Sequence, residues 1–121
     1  MKNEPRHSRY GITVSEEISC IPQRLKDNGS GLWDIVSRLE DFSLLGADRI
    51  DFVRRTILAL IAAGGRPVIA SETQPIWEET FQYGTEPEEI ADNVIAEWVA
   101  EGAPENVEWG RWWFAEPGCH R

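Results

Sequence analysis

The sequence predicts an α+β fold with three helices, a β-hairpin and a C-terminal aromatic strand in a small, mainly antiparallel sheet. Three stretches have the apolar period of a helix, and shorter stretches rich in β-branched and aromatic residues have the character of strands. A chain of 121 residues suits a single domain that buries about two thirds of its unfolded surface. We therefore expect one domain over residues 1–121, with mobile tails at 1–9 and 117–121.

The first two helices are predicted over residues 32–42 and 48–63. Ser30 can cap the first of them, whose apolar residues lie on one face. The second is apolar on more than one side and ends before two glycines. We expect it to be the most buried helix, with Phe52 and Ile57 in the core.

The third helix is predicted from residue 85 to a stop at Gly102. Thr85 and Glu88 have the spacing of a capping box, in which each side chain satisfies an orphan amide. The residues expected to face the core are Ile90, Ala91, Val94, Ile95 and Trp98.

Strands are predicted on either side of the third helix. Residues 67–71 and 76–83 form a hairpin, and residues 107–115 form the last strand. A short strand is predicted over 10–14, and the Gly- and Asn-containing stretch 21–31 is predicted to be a loop.

Several features predict a cytoplasmic protein with free thiols and no contact with membranes. The N-terminal residues are polar, and the longest apolar run, residues 57–63, is far shorter than the roughly 20 residues of a membrane span. Cys20 and Cys119 lie nearly a chain length apart, which does not suit a disulfide framework.

The charge is unevenly distributed along the chain. Residues 1–66 carry ten basic and nine acidic residues, whereas residues 67–121 carry two arginines and twelve acids. Such a surface repels nucleic acid and attracts a basic partner, although acids also simply keep a protein soluble or cap helices. The predicted partner-binding residues are Glu79, Glu89, Asp92, Asn93 and Glu97.

The sequence contains no established catalytic or phosphate-binding motif, so we expect no catalytic residue, cofactor or metal. Its two histidines, His7 and His120, fall in the predicted tails. The adjacent Cys119 and His120 are too few for a closed zinc site.

Six tryptophans in 121 residues form the other unusual feature. In a regular strand, Trp109, Arg111 and Trp113 would share one face, with Trp112 on the other. Both faces are then aromatic, which favours a central strand over one that exposes an aromatic patch at Trp109 and Trp113.

The order of elements resembles that of a winged helix, in which the second helix would read DNA with Arg49, Arg54 and Arg55. The apolar residues on opposite sides of that helix and the acidic hairpin weigh against this alternative.

Our leading hypothesis is a small acidic protein-binding module that inhibits a basic partner, as an immunity protein or a nucleic-acid mimic does. The alternatives are the winged-helix regulator and an enzyme or small-ligand binder with a tryptophan-lined pocket.

Overall fold

The computed structural model describes residues 5–25 and 29–120, which form the predicted α+β architecture. The helices are α1 (Val14–Ser19), α2 (Ile21–Leu25), α3 (Leu32–Val36), α4 (Ala47–Ala62) and α5 (Pro87–Ala100). The strands are β1 (Ser30–Gly31), β2 (Arg66–Ala70), β3 (Trp77–Glu79) and β4 (Trp113–Ala115).

The four strands form an antiparallel sheet in the order β1-β4-β2-β3. Val68 of β2 lies opposite Glu79 of β3 on one side and Trp113 of β4 on the other. The aromatic strand is therefore central, as predicted. It is shorter than expected, because Gly110 and Trp112 have φ angles of 89° and 50° and turn the chain just before the strand begins.

Consecutive residues of β4 pack into two different clusters of the core. Phe114 belongs to the large cluster shared with the helices, whereas Trp113 packs with Val68 and Trp77 in a second, smaller cluster. Side chains alternate across a strand, so the two clusters lie on opposite faces of the sheet.

Helix α4 packs against α1, α2, α3 and α5, which accounts for its apolar residues on several sides. Phe52 and Ile57 are both buried, as predicted. The inward face predicted for α5 is also confirmed, since all five of its apolar residues are buried: Ile90, Ala91, Val94, Ile95 and Trp98.

The predicted capping box at α5 is wrong. The helix begins at Pro87, and Glu86 is its N-cap. Proline has the fixed φ angle that suits a first helical position and lacks the amide that would be orphaned there. The backbone amide of Thr85 instead donates to Oε1 of Glu89 at 2.9 Å.

The predicted strand over 10–14 is also wrong, because α1 begins at Val14. Thr13 and Glu16 form a reciprocal capping box that opens this helix. The predicted loop 21–31 contains α2 and β1, so that prediction fails for these segments, while residues 26–28 of it lie outside the described residues.

Two other elements are shorter than predicted. The helix expected over 32–42 ends at Val36 and continues as turns, and Ser30 lies in β1 instead of capping it. Asp34 accepts hydrogen bonds from Oγ of Ser30 at 3.0 Å and from the Gly31 amide at 3.3 Å. The second hairpin strand ends at Glu79, which leaves Phe81 64% exposed.

Of the segments expected to be tails, residues 1–4 and 121 lie outside the described residues, whereas residues 5–9 and 117–120 contact the rest of the domain. The Ser8 amide donates to the Asp41 carbonyl at 2.7 Å. The His7 side chain is buried, and its Nδ1 atom accepts hydrogen bonds from the Arg9 and Tyr10 amides at 3.0 and 3.2 Å. At the other end, the Cys119 carbonyl accepts from the Trp77 amide at 2.8 Å, and His120 forms a β-bridge with Ile76.

Cys20 and Cys119 are not disulfide-bonded, as predicted. None of the helices in the described residues combines the length and apolar character needed to cross a membrane.

Candidate functional site

Three tryptophans form a contiguous cluster on the face of the sheet that carries Trp113. The ring centroids of Trp77 and Trp113 lie 5.7 Å apart in a stacked arrangement, and Trp109 lies 4.8 Å from Trp113 and 5.9 Å from Trp77. Trp77 and Trp113 are buried, whereas Trp109 is 48% exposed. Trp109 therefore presents an aromatic surface to solvent on a rigid aromatic base.

An open groove of about 400 Å³ runs beside this cluster. Its lining residues are Ile69, Ala70, Trp77, Glu108, Trp109, Gly110 and Arg111. We call it the Trp109 groove. The side chain of Ile69 is 48% exposed, so the groove combines aromatic, aliphatic and charged surface.

Two carboxylates without an ion-pair partner among the described residues lie in and near the Trp109 groove. Glu108 is exposed and lines it, and the described residues provide no ion-pair partner for this side chain. Glu79 faces the same side of the sheet as Trp77, two residues away on β3, and is likewise unpaired within the described chain.

Most of the predicted partner-binding residues on α5 instead make contacts within the domain. Asp92 pairs with Arg54, and Nδ2 of Asn93 donates to the Tyr83 carbonyl at 2.9 Å. Glu89 accepts from the Thr85 amide. These side chains support the fold, so their charges and donors are not all available to a partner.

Glu97, the fifth predicted residue, is the centre of a polar cluster between α5 and the turn before β4. Its Oε1 atom accepts hydrogen bonds from the Tyr83 hydroxyl at 3.1 Å and from Nε1 of Trp112 at 3.0 Å. Nη2 of Arg111 lies 3.6 Å from the same oxygen.

Arg111 completes the polar cluster. Its Nη1 donates to Oε1 of Glu101 at 2.6 Å, its Nη2 donates to the other carboxylate oxygen, and its guanidinium carbon lies 3.9 Å from the centre of the Trp112 ring. The prediction that Arg111 shares a face with Trp109 and Trp113 is thus wrong. The turn at Gly110 and Trp112 breaks the strand alternation and directs Arg111 to Glu97 on α5 and to Glu101 at the C-cap of that helix.

The polar cluster perturbs the ionisation of its members. Burial, with the hydrogen bond to Glu97 and the charge of that carboxylate, raises the pKa of Tyr83 to about 12. Hydrogen bonding by Arg111 holds the pKa of Glu101 below its ordinary value. The hydrogen bond to Glu101 likewise raises the pKa of Arg111.

A cavity of about 250 Å³ adjoins the polar cluster between the sheet and α5. Tyr83, Glu97, Arg111 and Trp112 contribute to its wall. The Trp109 groove and this cavity share Ile69, Gly110 and Arg111, so the Arg111 side chain lies at the boundary between them.

The arginines that a winged helix would use all have partners within the domain. Arg54 pairs with Asp92, Arg55 donates to Oγ of Ser15 at 3.0 Å, and Arg49 lies 3.7 Å from Glu105. Since α4 is packed by helices on several sides, it presents no free basic face.

A search of known proteins finds no matching family model, no matching curated protein and no matching solved structure. Within residues 5–25 and 29–120, no group of three or more His, Cys, Asp or Glu side chains is placed to hold a metal.

Sequence reasoning found Trp109 but missed Glu108 and Tyr83 as site residues. Glu108 could have been predicted from the sequence, because it is an acid directly before Trp109, which the structure shows to be exposed. Tyr83 could not, since its partner Glu97 is 14 positions away and belongs to a different element.

Proposed function

We propose that this protein is a small cytoplasmic protein-binding module that docks a basic partner at the Trp109 groove, in the manner of an immunity protein or a nucleic-acid mimic. The observation that carries the proposal is the half-exposed Trp109 ring, which lies on a buried tryptophan pair beside the carboxylate of Glu108. That carboxylate has no ion-pair partner among residues 5–25 and 29–120.

The chemistry of the groove suits a lysine or arginine side chain. The face of a tryptophan ring attracts a cation, and a neighbouring carboxylate adds a charge-assisted hydrogen bond. Trp109 is also backed by Trp113, so little conformational entropy is lost when a partner covers it.

The charge balance of the C-terminal half supports a basic partner. Four of its twelve acids lie in ion pairs with arginines, and the described residues supply no such pair to the other eight. Two of these acidic residues, Glu88 and Glu89, lie in the first turn of α5, where they stabilise the helix dipole. Glu79 and Glu108 belong to β3 and to the segment after that helix, which supports a role for them in recruiting a basic partner.

The test uses tagged protein to capture partners from a lysate of the native host, followed by association kinetics with the captured protein. The partner should be basic, and its association should slow as salt rises, because the Debye length is about 10 Å at 0.1 M. Trp109→Ala should abolish capture. Glu108→Lys should slow association roughly threefold or more at low salt.

The matched control is Glu40→Lys, which changes the net charge by the same amount at an exposed site outside the groove. It should leave capture and association nearly unchanged. A partner that binds Trp109→Ala and the wild type equally well, or that responds alike to both lysine variants, would exclude docking at this groove.

A second candidate function is binding of a small molecule in the cavity beside Glu97. The cavity is lined by aromatic side chains and a carboxylate, which is the combination typical of ligand sites, but its 250 Å³ admits only a small ligand. Screening small cationic compounds by the indole signal of Trp112 tests this candidate. Compounds that shift only the Trp109 signal would show binding in the Trp109 groove and not in the cavity.

A further inference from the structure

The polar cluster surrounds the guanidinium group of Arg111. Glu101 receives two parallel hydrogen bonds from Arg111, Glu97 lies beside the same nitrogen, and the Trp112 ring covers the guanidinium plane. Bidentate pairing and stacking on an aromatic face are the two interactions that distinguish arginine from lysine. We call Glu97, Glu101 and Trp112 the guanidinium clamp.

Part of the clamp is held in place from outside. The Glu97 carboxylate, although 43% exposed, is oriented by hydrogen bonds from the Tyr83 hydroxyl and the Trp112 indole. Both hydrogen bonds come from side chains other than Arg111. We therefore expect the Glu97 carboxylate to keep its direction when the arginine is removed.

We propose that the clamp of Glu97, Glu101 and Trp112 is a guanidinium-binding site, occupied in this structure by the chain's own Arg111, which an external guanidinium compound can fill once that side chain is absent. The adjoining cavity gives room for the substituent of such a compound. This inference does not depend on partner docking at Trp109.

If the proposed function holds, the site also contributes to partner recognition. Arg111 lies at the boundary between the Trp109 groove and the cavity, so displacement of its side chain would join the two spaces. An arginine of the basic partner, entering along the groove, would then meet the clamp. This last step rests on the proposed function, whereas the binding site itself does not.

The experiment uses Arg111→Ala and methylguanidinium as the probe. Titration should shift the Trp112 indole cross-peak in a ¹H–¹⁵N spectrum, assigned by comparison with Trp112→Phe, and should raise the melting temperature. Methylammonium carries the same charge but cannot form the bidentate, stacked contact, so it should bind roughly tenfold more weakly.

The matched control is Arg54→Ala, which removes an arginine from an ion pair with Asp92 that has no stacked tryptophan. Methylguanidinium should neither stabilise this variant nor shift its Trp112 signal saturably. Equal responses of the two variants, equal binding of the two probes, or no saturable shift with Arg111→Ala would overturn the proposal.

If the Arg111→Ala variant does not fold by itself, the measurement becomes its refolding in the presence of each probe. Recovery of the far-ultraviolet circular dichroism with methylguanidinium, and not with methylammonium, supports the site. Absence of recovery with either compound overturns it. Because neither measurement uses the partner, a negative result here leaves the Trp109 groove to be judged by its own capture experiment.

Discussion

The rings of Trp109 and Trp113 lie 4.8 Å apart, centre to centre, with their planes inclined at 48°. The Trp113 ring is buried, and the Trp109 ring is half exposed. The pair therefore joins the second core cluster to the solvent, and the two residues should respond very differently to truncation.

Trp113→Ala should lower the free energy of unfolding by about 3 to 5 kcal/mol, because it removes a buried aromatic side chain and leaves a cavity. Trp109→Ala should cost less than about half of that, since much of its ring already contacts water. Urea unfolding of the two variants measures the difference. Equal losses would mean that Trp109 is a core residue and not a binding surface.

Ile57→Ala should destabilise the fold by about 2 to 5 kcal/mol, because Ile57 is fully buried at the centre of α4. Ile50→Ala, on the same helix, is the matched control. Its side chain is 39% exposed, so it should cost about 1 kcal/mol or less. A small loss for Ile57→Ala in the same urea titration would contradict the central position of α4.

His7→Ala should destabilise the N-terminal segment by about 1 to 3 kcal/mol, because the Arg9 and Tyr10 amides lose their shared acceptor. Hydrogen exchange of these two amides should accelerate in the variant. Ser8→Ala, at an exposed neighbouring position, should leave both exchange rates close to those of the wild type. Unchanged exchange in His7→Ala would show that the imidazole does not hold this segment.

Ionisation of Tyr83 should lower the free energy of unfolding at high pH. Its pKa is raised from 10.0 in the unfolded chain to about 12 in the fold, so the neutral hydroxyl is the form that stabilises the native state. This contribution is fully present below pH 10 and is lost as the pH rises through about 12.

The difference in tyrosinate absorbance between the wild type and Tyr83→Phe should have its midpoint near pH 12. The stability of Tyr83→Phe, measured by urea unfolding, should decline less across the same pH window. A midpoint close to 10 would show that Tyr83 is neither buried nor bonded to Glu97 in solution as it is in the structure.

Local patterns were sufficient to predict the fold class and its longer elements. The spacing of apolar residues predicted α4 and α5 with their buried faces, because helical periodicity depends only on neighbours along the chain. The hairpin and the central position of the aromatic strand also followed from local composition. The short elements were missed: a five-residue helix such as α2 has too few turns to show a period.

The sequence by itself determined the charge excess, the helix faces and the presence of an aromatic strand, since composition and periodicity are properties of the chain alone. Only the tertiary structure decided which charges are already paired. Arg54 pairs with Asp92, 38 positions away in the sequence, and the left-handed backbone at Trp112 directs Arg111 to Glu101, the C-cap residue of α5. Ion pairing depends on distance in space, and that distance is fixed by how the helices and the sheet pack together.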